Sequence, residues 1–151
     1  MKTWVENNKP NIIIISQFVY LNSDQSKLRS AISALQLINP NILLIENTPI
    51  FRINPFNRTI ISMILQSSPS KIVSKSSMDN KHTKASDDLS LWAKNNGIST
   101  MNFNSLFCNI NTCTIYSDAG WLYRDNDHFS LSGAEITIPQ LKTFLEEFST
   151  Q

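Results

Sequence analysis

The first half of the chain alternates between short apolar runs and a longer segment with helical spacing. The run NIIIIS at residues 11–16 is rich in β-branched residues and lacks polar alternation, which is typical of a strand buried on both faces of a parallel sheet. Apolar residues then recur at helical spacing across residues 23–40. A second apolar run, NILLIEN at 41–47, predicts another buried strand. Strand, helix and strand with short connections predict a right-handed βαβ unit.

The pattern becomes less regular after residue 50. A helix is predicted over roughly 57–66, and the serine-rich segment 67–82 is predicted to be a loop. A clearer helical pattern covers about 82–95, with Gly97 in the usual C-terminal cap position. The segment GISTMNF at 97–103 predicts a third strand.

The last helix is predicted to begin near Ser132. The sequence SGAE fits a capping box there, in which Ser132 accepts a backbone hydrogen bond and Glu135 reaches back. Pro139 is expected to interrupt this helix or to start a second segment. Together these elements predict an α/β fold, a three-layer parallel sheet flanked by helices. Functional residues of such sheets lie in the loops after the carboxyl ends of the strands.

Composition narrows the possible functions. The 151 residues are 41% hydrophobic and 17% charged, which favours a folded domain over a disordered chain. A net charge of +1 gives no electrostatic reason to expect nucleic acid or a membrane surface as partner. The three glycines exclude the glycine-rich loops that bind ATP or NAD phosphates. The sequence contains neither a signal-peptide apolar region nor a run long enough to span a bilayer.

The segment YRDNDHFS at 123–130 carries the main candidate for chemistry. His128 comes three residues after Asp125 and directly after Asp127. In a turn, the Asp125 carboxylate can hold Nδ1–H and leave the other ring nitrogen to act as a general base. Asp127 is the weaker partner, because adjacent side chains usually diverge. The alternative is that Asp, Asn and Ser cluster here because they favour turns and helix starts.

The two cysteines, Cys108 and Cys113, have a spacing that suits a small closed loop. A metal site would need further ligands, and the only histidines are His82 and His128, so no metal and no cofactor are expected. From this pair alone, a disulfide in an oxidising compartment and two free thiols in the cytosol both remain open.

The segment FCNINTCTIYSDAGWLYRDNDHFSLSGAE at 107–135 resembles the end of SGNH-type hydrolase domains, in the branch fused to bacterial acyltransferase family 3 membrane proteins. That branch ends with a Cys-x4-Cys loop, a Leu-Tyr-x-Asp-x-x-His-Leu-Ser segment and a Gly-Ala helix start. The matching positions are Cys108, Cys113, Leu122, Tyr123, Asp125, His128, Ser130, Gly133 and Ala134, with Phe129 in place of leucine. The upstream segments KPNIIIISQFVYL, LLIENTPIF and WAKNNGISTMNF look like the family's middle strands, so the resemblance covers nearly the whole chain.

The resemblance implies a flavodoxin-like SGNH fold and a serine esterase or acyltransferase with a Ser-His-Asp site. His128 would be the general base and Asp125 its orienting carboxylate. Cys108 and Cys113 would form a disulfide. The protein would act in the periplasm or in association with a membrane. Its substrate would be an envelope glycan or an acylated small molecule, with an O-acyl group gained or lost.

The family's serine nucleophile lies in a Gly-Asp-Ser motif, and none of the three glycines of this chain precedes an aspartate. We therefore expect residues 1–151 to form a single partial SGNH-like domain whose N-terminal strands are missing and which is inactive alone. Its partner would be an N-terminal fragment or a membrane acyltransferase domain. The alternatives are a non-catalytic α/β module that binds a glycan or a partner chain, and a complete small esterase with an unconventional serine.

The sequence also departs from the family at the block that carries an oxyanion donor. SQF at 16–18 stands where the membrane-fused branch has an Arg-Trp pair. Gln17 could donate a hydrogen bond to an oxyanion, although an ordinary strand-end residue is the favoured interpretation.

Overall fold

The computed structural model describes residues 2–16, 25–52, 54–55, 72–75, 78 and 80–149. The predicted helix over 57–66 and the candidate oxyanion donor Gln17 lie outside these residues. The chain divides into two compact units, Met1–Asn47 with Asn80–Asn102, and Thr48–Asp79 with Phe103–Gln151.

The described residues form short strands and helices of varied length. In chain order they are α1 (Lys2–Asn8), β1 (Ile13–Ser16), α2 (Gln25–Gln36), β2 (Ile42–Ile45), β3 (Ile72–Ser74), α3 (Asn80–Asn95), β4 (Ser99–Met101), α4 (Asn104–Phe107), β5 (Thr112–Thr114), β6 (Tyr116–Ser117), β7 (Gly120–Trp121) and α5 (Leu131–Ser149). None of the helices among these residues combines the length and apolarity needed to cross a bilayer.

The first unit is a parallel sheet with helices α1, α2 and α3. The strand order is β1-β2-β4, and both strand pairs are parallel, with Ile13 opposite Ile42 and Leu43 opposite Ser99. The predicted strand–helix–strand arrangement and the α/β class are therefore confirmed. Apolar residues from the helices, from β2 and from the residue before β4 form the core, namely Val5, Ile32, Leu35, Ile42, Leu44, Ala85, Leu89, Ala93 and Ile98. Burial of these side chains stabilises the unit by removing apolar surface from water.

Strand β1 is more exposed than its apolar sequence predicts. Half-buried and exposed residues alternate along it, and Ile14 is 41% exposed, whereas Leu43 of β2 is fully buried. Among the described residues β1 has one neighbouring strand, β2, so it forms an edge of the sheet. The prediction that this strand is buried on both faces is therefore wrong for the part of the chain that the structure describes.

The C-terminal end of α3 follows the predicted cap. Gly97 has a φ of +72°, a left-handed conformation that glycine adopts without a steric penalty. Its N–H donates to the carbonyl of Lys94 at 3.1 Å, and the N–H of Ile98 donates to the carbonyl of Ala93 at 3.0 Å. These two bonds are those of a Schellman motif, which satisfies carbonyls that the helix end leaves unpaired.

The second unit contains short antiparallel strands and the long helix α5. Strand β3 pairs with β5, and β6 pairs with β7. The prediction that 67–82 is a loop is wrong at β3. Helix α5 runs through Pro139 without a break, so the prediction that Pro139 interrupts this helix or starts a second segment is wrong. The Pro139 ring lacks the N–H that would bond to Glu135, and Glu135 is exposed, so its carbonyl can be hydrated instead.

Candidate active site

The segment 122–130 folds back on itself in a short antiparallel turn. The N–H of Arg124 donates to the carbonyl of His128 at 2.9 Å, and the N–H of Ser130 donates to the carbonyl of Leu122 at 3.0 Å. Tyr123 and Phe129 lie opposite each other between these bonds. Residues 125–127 therefore form the tip of a closed loop, which we call the Asp125–His128 loop.

The side chain of Asp125 closes this loop. Its Oδ1 accepts hydrogen bonds from the N–H groups of Asp127, at 3.1 Å, and His128, at 2.8 Å. An aspartate that bonds to backbone N–H groups two and three residues later is a common turn-forming arrangement. The turn that the Asp, Asn and Ser residues of this segment favour is therefore present in the structure.

The same carboxylate also contacts the imidazole ring of His128. Nδ1 lies 2.9 Å from Oδ1 and 3.0 Å from Oδ2 of Asp125. Asp127 does not diverge as expected, because the tight turn brings its Oδ1 to 3.0 Å from the same ring nitrogen. Since Nδ1 faces the two carboxyls, Nε2 is the nitrogen that faces away from them. The His128 side chain is 58% exposed, so a reacting group can approach it.

The two carboxyl groups have opposite pKa shifts. Burial tends to raise the pKa of Asp125, but hydrogen bonds from the backbone and side chains of Asp127 and His128 outweigh it and hold this pKa well below its usual range. Burial raises the pKa of Asp127, and the side-chain hydrogen bond to Asp125 raises it further, against the opposing effect of His128. Arg124 adds two contacts of 3.3 Å to Oδ2 of Asp125, from Nε and Nη2. These shifts favour the ionised form of Asp125 over the ionised form of Asp127.

The segment that follows β2 forms hydrogen bonds to the backbone of the Asp125–His128 loop. The Thr48 hydroxyl donates to the carbonyl of Asp127, and the N–H of Phe51 donates to the carbonyl of Asn126 at 2.8 Å. The Phe51 ring also packs edge-on against Tyr123, with centroids 4.9 Å apart. The sequence indicates only that this segment follows a predicted strand, and it does not indicate these three contacts. Nothing in the local pattern of Thr48 or Phe51 indicates a partner more than seventy residues away.

Aromatic side chains pack beneath the loop. Tyr123 is 1% exposed and lies against Phe107 and Phe129 at centroid distances of 5.8 and 5.3 Å. Phe107 and Phe129 stack on each other at 4.4 Å. The Tyr123 hydroxyl is buried without a hydrogen-bond partner among the described residues, and burial raises its pKa.

The N-cap of helix α5 lies two residues earlier than predicted, at Ser130 instead of Ser132. Ser130 is the N-cap, because its Oγ accepts from the N–H of Gly133 at 3.1 Å and its carbonyl accepts from the N–H of Ala134 at 2.9 Å. Ser130 also donates its hydroxyl hydrogen to the carbonyl of Trp121. The predicted capping box is wrong, since Ser132 lies inside the helix and donates to the carbonyl of Ala119 at 2.9 Å.

Gly133 allows the helix start to approach the segment before the loop. A Cβ atom at this position would lie 2.0 Å from the carbonyl oxygen of Leu122, which is far inside van der Waals contact. Glycine is therefore required here by close packing. The first turn of α5 and the Asp125–His128 loop are thus joined through Ser130 and Leu122.

Cys108 and Cys113 form the disulfide that the family resemblance implies. The six-residue loop that they close is ordered by Asn109, whose Oδ1 accepts from the N–H groups of Asn111 and Thr112 at 2.8 Å each. Cys113 is fully buried, so the bridge is a fixed part of the second unit.

The three side chains of Asp125, Asp127 and His128 also offer ligand atoms within 4.8 Å of one another. That spacing could accommodate a cation. The same contacts are those of a histidine hydrogen-bonded to carboxylates, which is a complete explanation of the arrangement.

The chain resembles known proteins in both sequence and structure. A family model described as "SGNH domain (fused to AT3 domains)" matches residues 2–143. The solved periplasmic domain of a lipopolysaccharide acetyltransferase from Salmonella ser. Paratyphi A is similar in fold, with a TM-score of 0.76 and 13% sequence identity. The likeness covers 95% of this chain and 60% of that structure, so the chain spans about 60% of the length of its structural neighbour. A search of curated protein sequences gave no match.

Proposed function

The chain belongs to the family of SGNH domains that are fused to AT3 domains, and we propose that Asp125 and His128 are the Asp-His part of its Ser-His-Asp site. The observation that carries the proposal is the contact of 2.9 Å between Nδ1 of His128 and Oδ1 of Asp125. This contact fixes the ring tautomer with a proton on Nδ1 and leaves Nε2 to accept one.

Nε2 of His128 takes the proton of a serine hydroxyl as that oxygen attacks an acyl carbonyl. The imidazolium that forms is stabilised by the ionised carboxylate of Asp125, whose lowered pKa keeps it charged. His128 then returns the proton to the leaving oxygen, and the acyl group remains on the serine until a second oxygen accepts it.

The serine comes from a polypeptide segment outside the present sequence. None of the three glycines is followed by aspartate, so the sequence contains no Gly-Asp-Ser motif. The two serines closest in sequence after His128 already have other roles, since Ser130 caps α5 and Ser132 bonds to Ala119. Without a nucleophile the chain alone is inactive, because removal of the serine removes covalent catalysis.

The substrate is an O-acyl group on an envelope polysaccharide, transferred or hydrolysed in the periplasm beside a membrane acyltransferase domain. Three observations support this assignment. The structural neighbour is the periplasmic domain of a lipopolysaccharide acetyltransferase, and the family is defined by its fusion to AT3 domains. The disulfide of Cys108 and Cys113 also suits an oxidising compartment.

The experiment is a complementation assay with p-nitrophenyl acetate. The chain alone should not accelerate hydrolysis, and addition of a Gly-Asp-Ser-bearing segment from a full-length family member should restore it. His128→Ala should abolish the restored activity, and Asp125→Asn should lower kcat by about 10⁴-fold, as expected for a triad that loses its orienting carboxylate. His82→Ala, which changes the other histidine, is the matched control and should behave as the unaltered chain.

Two results would contradict the proposal. If the His128→Ala chain complements as well as the unaltered chain, the module is non-catalytic and binds a glycan or a partner chain. If the unaltered chain hydrolyses the ester alone and is labelled by a fluorophosphonate, it is a complete esterase with an unconventional serine.

A further inference from the structure

An open groove of about 670 Å³ lies beside the Asp125–His128 loop within the second unit. The residues that line the groove precede and follow this loop in the sequence. Those before the loop are Trp121, Tyr123 and Arg124, and those after it are Phe129, Ser130, Leu131 and Ala134. Two lining residues adjoin the candidate base, since Phe129 directly follows His128 in sequence and the N–H of Arg124 donates to the carbonyl of His128 at 2.9 Å. Its volume falls in the range of small-molecule binding sites.

The wall of the groove is mostly apolar. Trp121 and Phe129 contribute aromatic rings, and Leu131 and Ala134 contribute aliphatic groups from the first turn of α5. Leu131 is 78% exposed, although the first turn of a helix usually carries polar or acidic residues that favour its positive end. An exposed leucine here presents apolar surface to whatever occupies the groove.

The groove has little capacity for hydrogen bonding. The Ser130 hydroxyl already donates to Trp121 and accepts from Gly133. The Tyr123 hydroxyl is buried. The lining also contains the indole N–H of Trp121 and the guanidinium of Arg124, which is 69% exposed and uses two of its five N–H donors on Asp125. Such a wall offers a sugar ring few hydrogen-bond partners, whereas an alkyl chain needs none and is stabilised by covering apolar surface.

We propose that this groove binds an acyl chain longer than acetyl, with the oxygen-bearing end of the chain toward Arg124. The inference rests on the proposed function, since the chain would belong to the acyl group that the His128 site transfers. The proposed acyl chain is longer than the acetyl group that gives the structural neighbour, an acetyltransferase, its name. An acetyl group would leave the aromatic and aliphatic wall uncovered, and each additional buried methylene should strengthen binding about fourfold.

The test measures binding to the 151-residue chain by its ¹H–¹⁵N NMR spectrum, so it requires no activity. Sodium octanoate, sodium acetate and methyl α-D-galactopyranoside are titrated separately. Octanoate should shift the indole N–H signal of Trp121, identified by its loss in Trp121→Phe, and should saturate at millimolar concentration. Acetate should bind at least about tenfold more weakly, a difference of about 1.4 kcal/mol, which is less than two methylenes can supply.

Two variants locate the binding. Leu131→Asp places a charge in the wall at a position where an acidic residue suits the helix start, and it should weaken octanoate binding by about tenfold or more. Ala134→Leu fills the groove with a larger side chain from the same turn and should weaken binding as well. Ile110→Asp is the matched control, because Ile110 is 84% exposed in the disulfide loop and does not line the groove. The spectrum itself reports whether each variant is folded. One folded groove variant, Leu131→Asp or Ala134→Leu, is sufficient to test where octanoate binds.

The inference is overturned if acetate binds as tightly as octanoate, or if octanoate still shifts Trp121 in the folded groove variants. It is also overturned if the galactopyranoside shifts Trp121 and octanoate does not, which would make the groove a glycan site. His128→Ala separates this result from the proposed function. Retained octanoate binding with no His128 dependence in the complementation assay refutes the catalytic role alone. His128-dependent activity without octanoate binding refutes the acyl groove alone.

Discussion

The N–H of Phe51 donates a hydrogen bond of 2.8 Å to the carbonyl oxygen of Asn126, the middle residue of the Asp125–His128 loop. The Thr48 hydroxyl donates to the next carbonyl, that of Asp127. Two successive carbonyls of the loop are therefore held by one segment that lies more than seventy residues earlier in the chain. This attachment restricts the loop independently of the Asp125 side chain, so it contributes to the position of His128.

Removal of the Thr48 hydroxyl should loosen the loop. Thr48→Val keeps the shape of the side chain but leaves the Asp127 carbonyl without this donor, and we expect the free energy of unfolding to fall by about 1 kcal/mol. Thr48→Ser retains the hydroxyl, so its free energy of unfolding should fall by less than that of the valine variant. Urea unfolding measures both changes, and the ring signals of His128 should shift in the valine variant. Equal stability of the valine, serine and unaltered chains would show that the bond is not significant.

The opposite pKa shifts of Asp125 and Asp127 predict opposite dependence on pH. The pKa of Asp125 is lowered in the folded state, so its stabilising contribution is present above the unfolded value of about 3.9 and is lost as pH falls through the folded pKa. Asp125→Asn should therefore be most destabilising near pH 7, and the difference from the unaltered chain should shrink below about pH 4.

Asp127→Asn is the matched variant for this measurement. The pKa of Asp127 is raised in the folded state, so the unaltered chain loses stability as pH rises through that pKa. Relative to the unaltered chain, Asp127→Asn should become more favourable as pH rises above about 4, the unfolded value. Urea unfolding at several pH values tests both variants, and parallel curves for the two would contradict the opposite pKa shifts of Asp125 and Asp127.

Gly133→Ala should destabilise the protein, although alanine is the better helix former by about 1 kcal/mol. The new methyl group would lie 2.0 Å from the Leu122 carbonyl oxygen, and the displacement needed should cost about 1–3 kcal/mol or more. Glu135→Ala, at an exposed position in the same helix, is the control and should change stability by only a few tenths of a kcal/mol. A stabilising effect of alanine at position 133 would show that the helix start can move away from Leu122.

Tyr123→Phe should stabilise the protein by about 1 kcal/mol. The substitution removes a buried hydroxyl that has no partner among the described residues and keeps the ring contacts with Phe51, Phe107 and Phe129. Tyr123→Ala removes those contacts too and should destabilise by about 3–5 kcal/mol. Thermal or urea unfolding distinguishes the two. A destabilising phenylalanine would indicate that the hydroxyl has a partner in solution.

Reduction of the Cys108–Cys113 disulfide should lower the free energy of unfolding by roughly 2 kcal/mol, the value expected for closing a loop of about six residues. Reduction should be slow in the folded protein, because Cys113 is fully buried. Urea unfolding with and without dithiothreitol measures the effect. The Cys108→Ala, Cys113→Ala double variant serves as the control and should not respond to the reductant.

The sequence by itself determined the features that depend on short-range spacing. The apolar runs of β1 and β2 predict neighbouring parallel strands, and the helical spacing of Ile32 and Leu35 predicts the buried face of α2. Gly97 predicts the end of α3, because a left-handed residue is needed there. Asp125 and His128 could be paired from spacing alone, since three residues in a tight turn bring a carboxylate to the imidazole of its own loop.

Only the tertiary structure decided which residues meet from distant parts of the chain. Strand β3 forms because Ile72–Ser74 pairs with β5, which lies about forty residues later in the chain. A segment with loop-like composition is therefore a strand. Ser130 replaces Ser132 as the helix cap, and Gly133 is required, because the helix start packs on Leu122. Thr48 and Phe51 hold the Asp125–His128 loop through hydrogen bonds to backbone carbonyls, which every residue type possesses. Such contacts leave no periodic or compositional signal in either segment, so the sequence indicates the candidate pair while the fold determines what holds it in place.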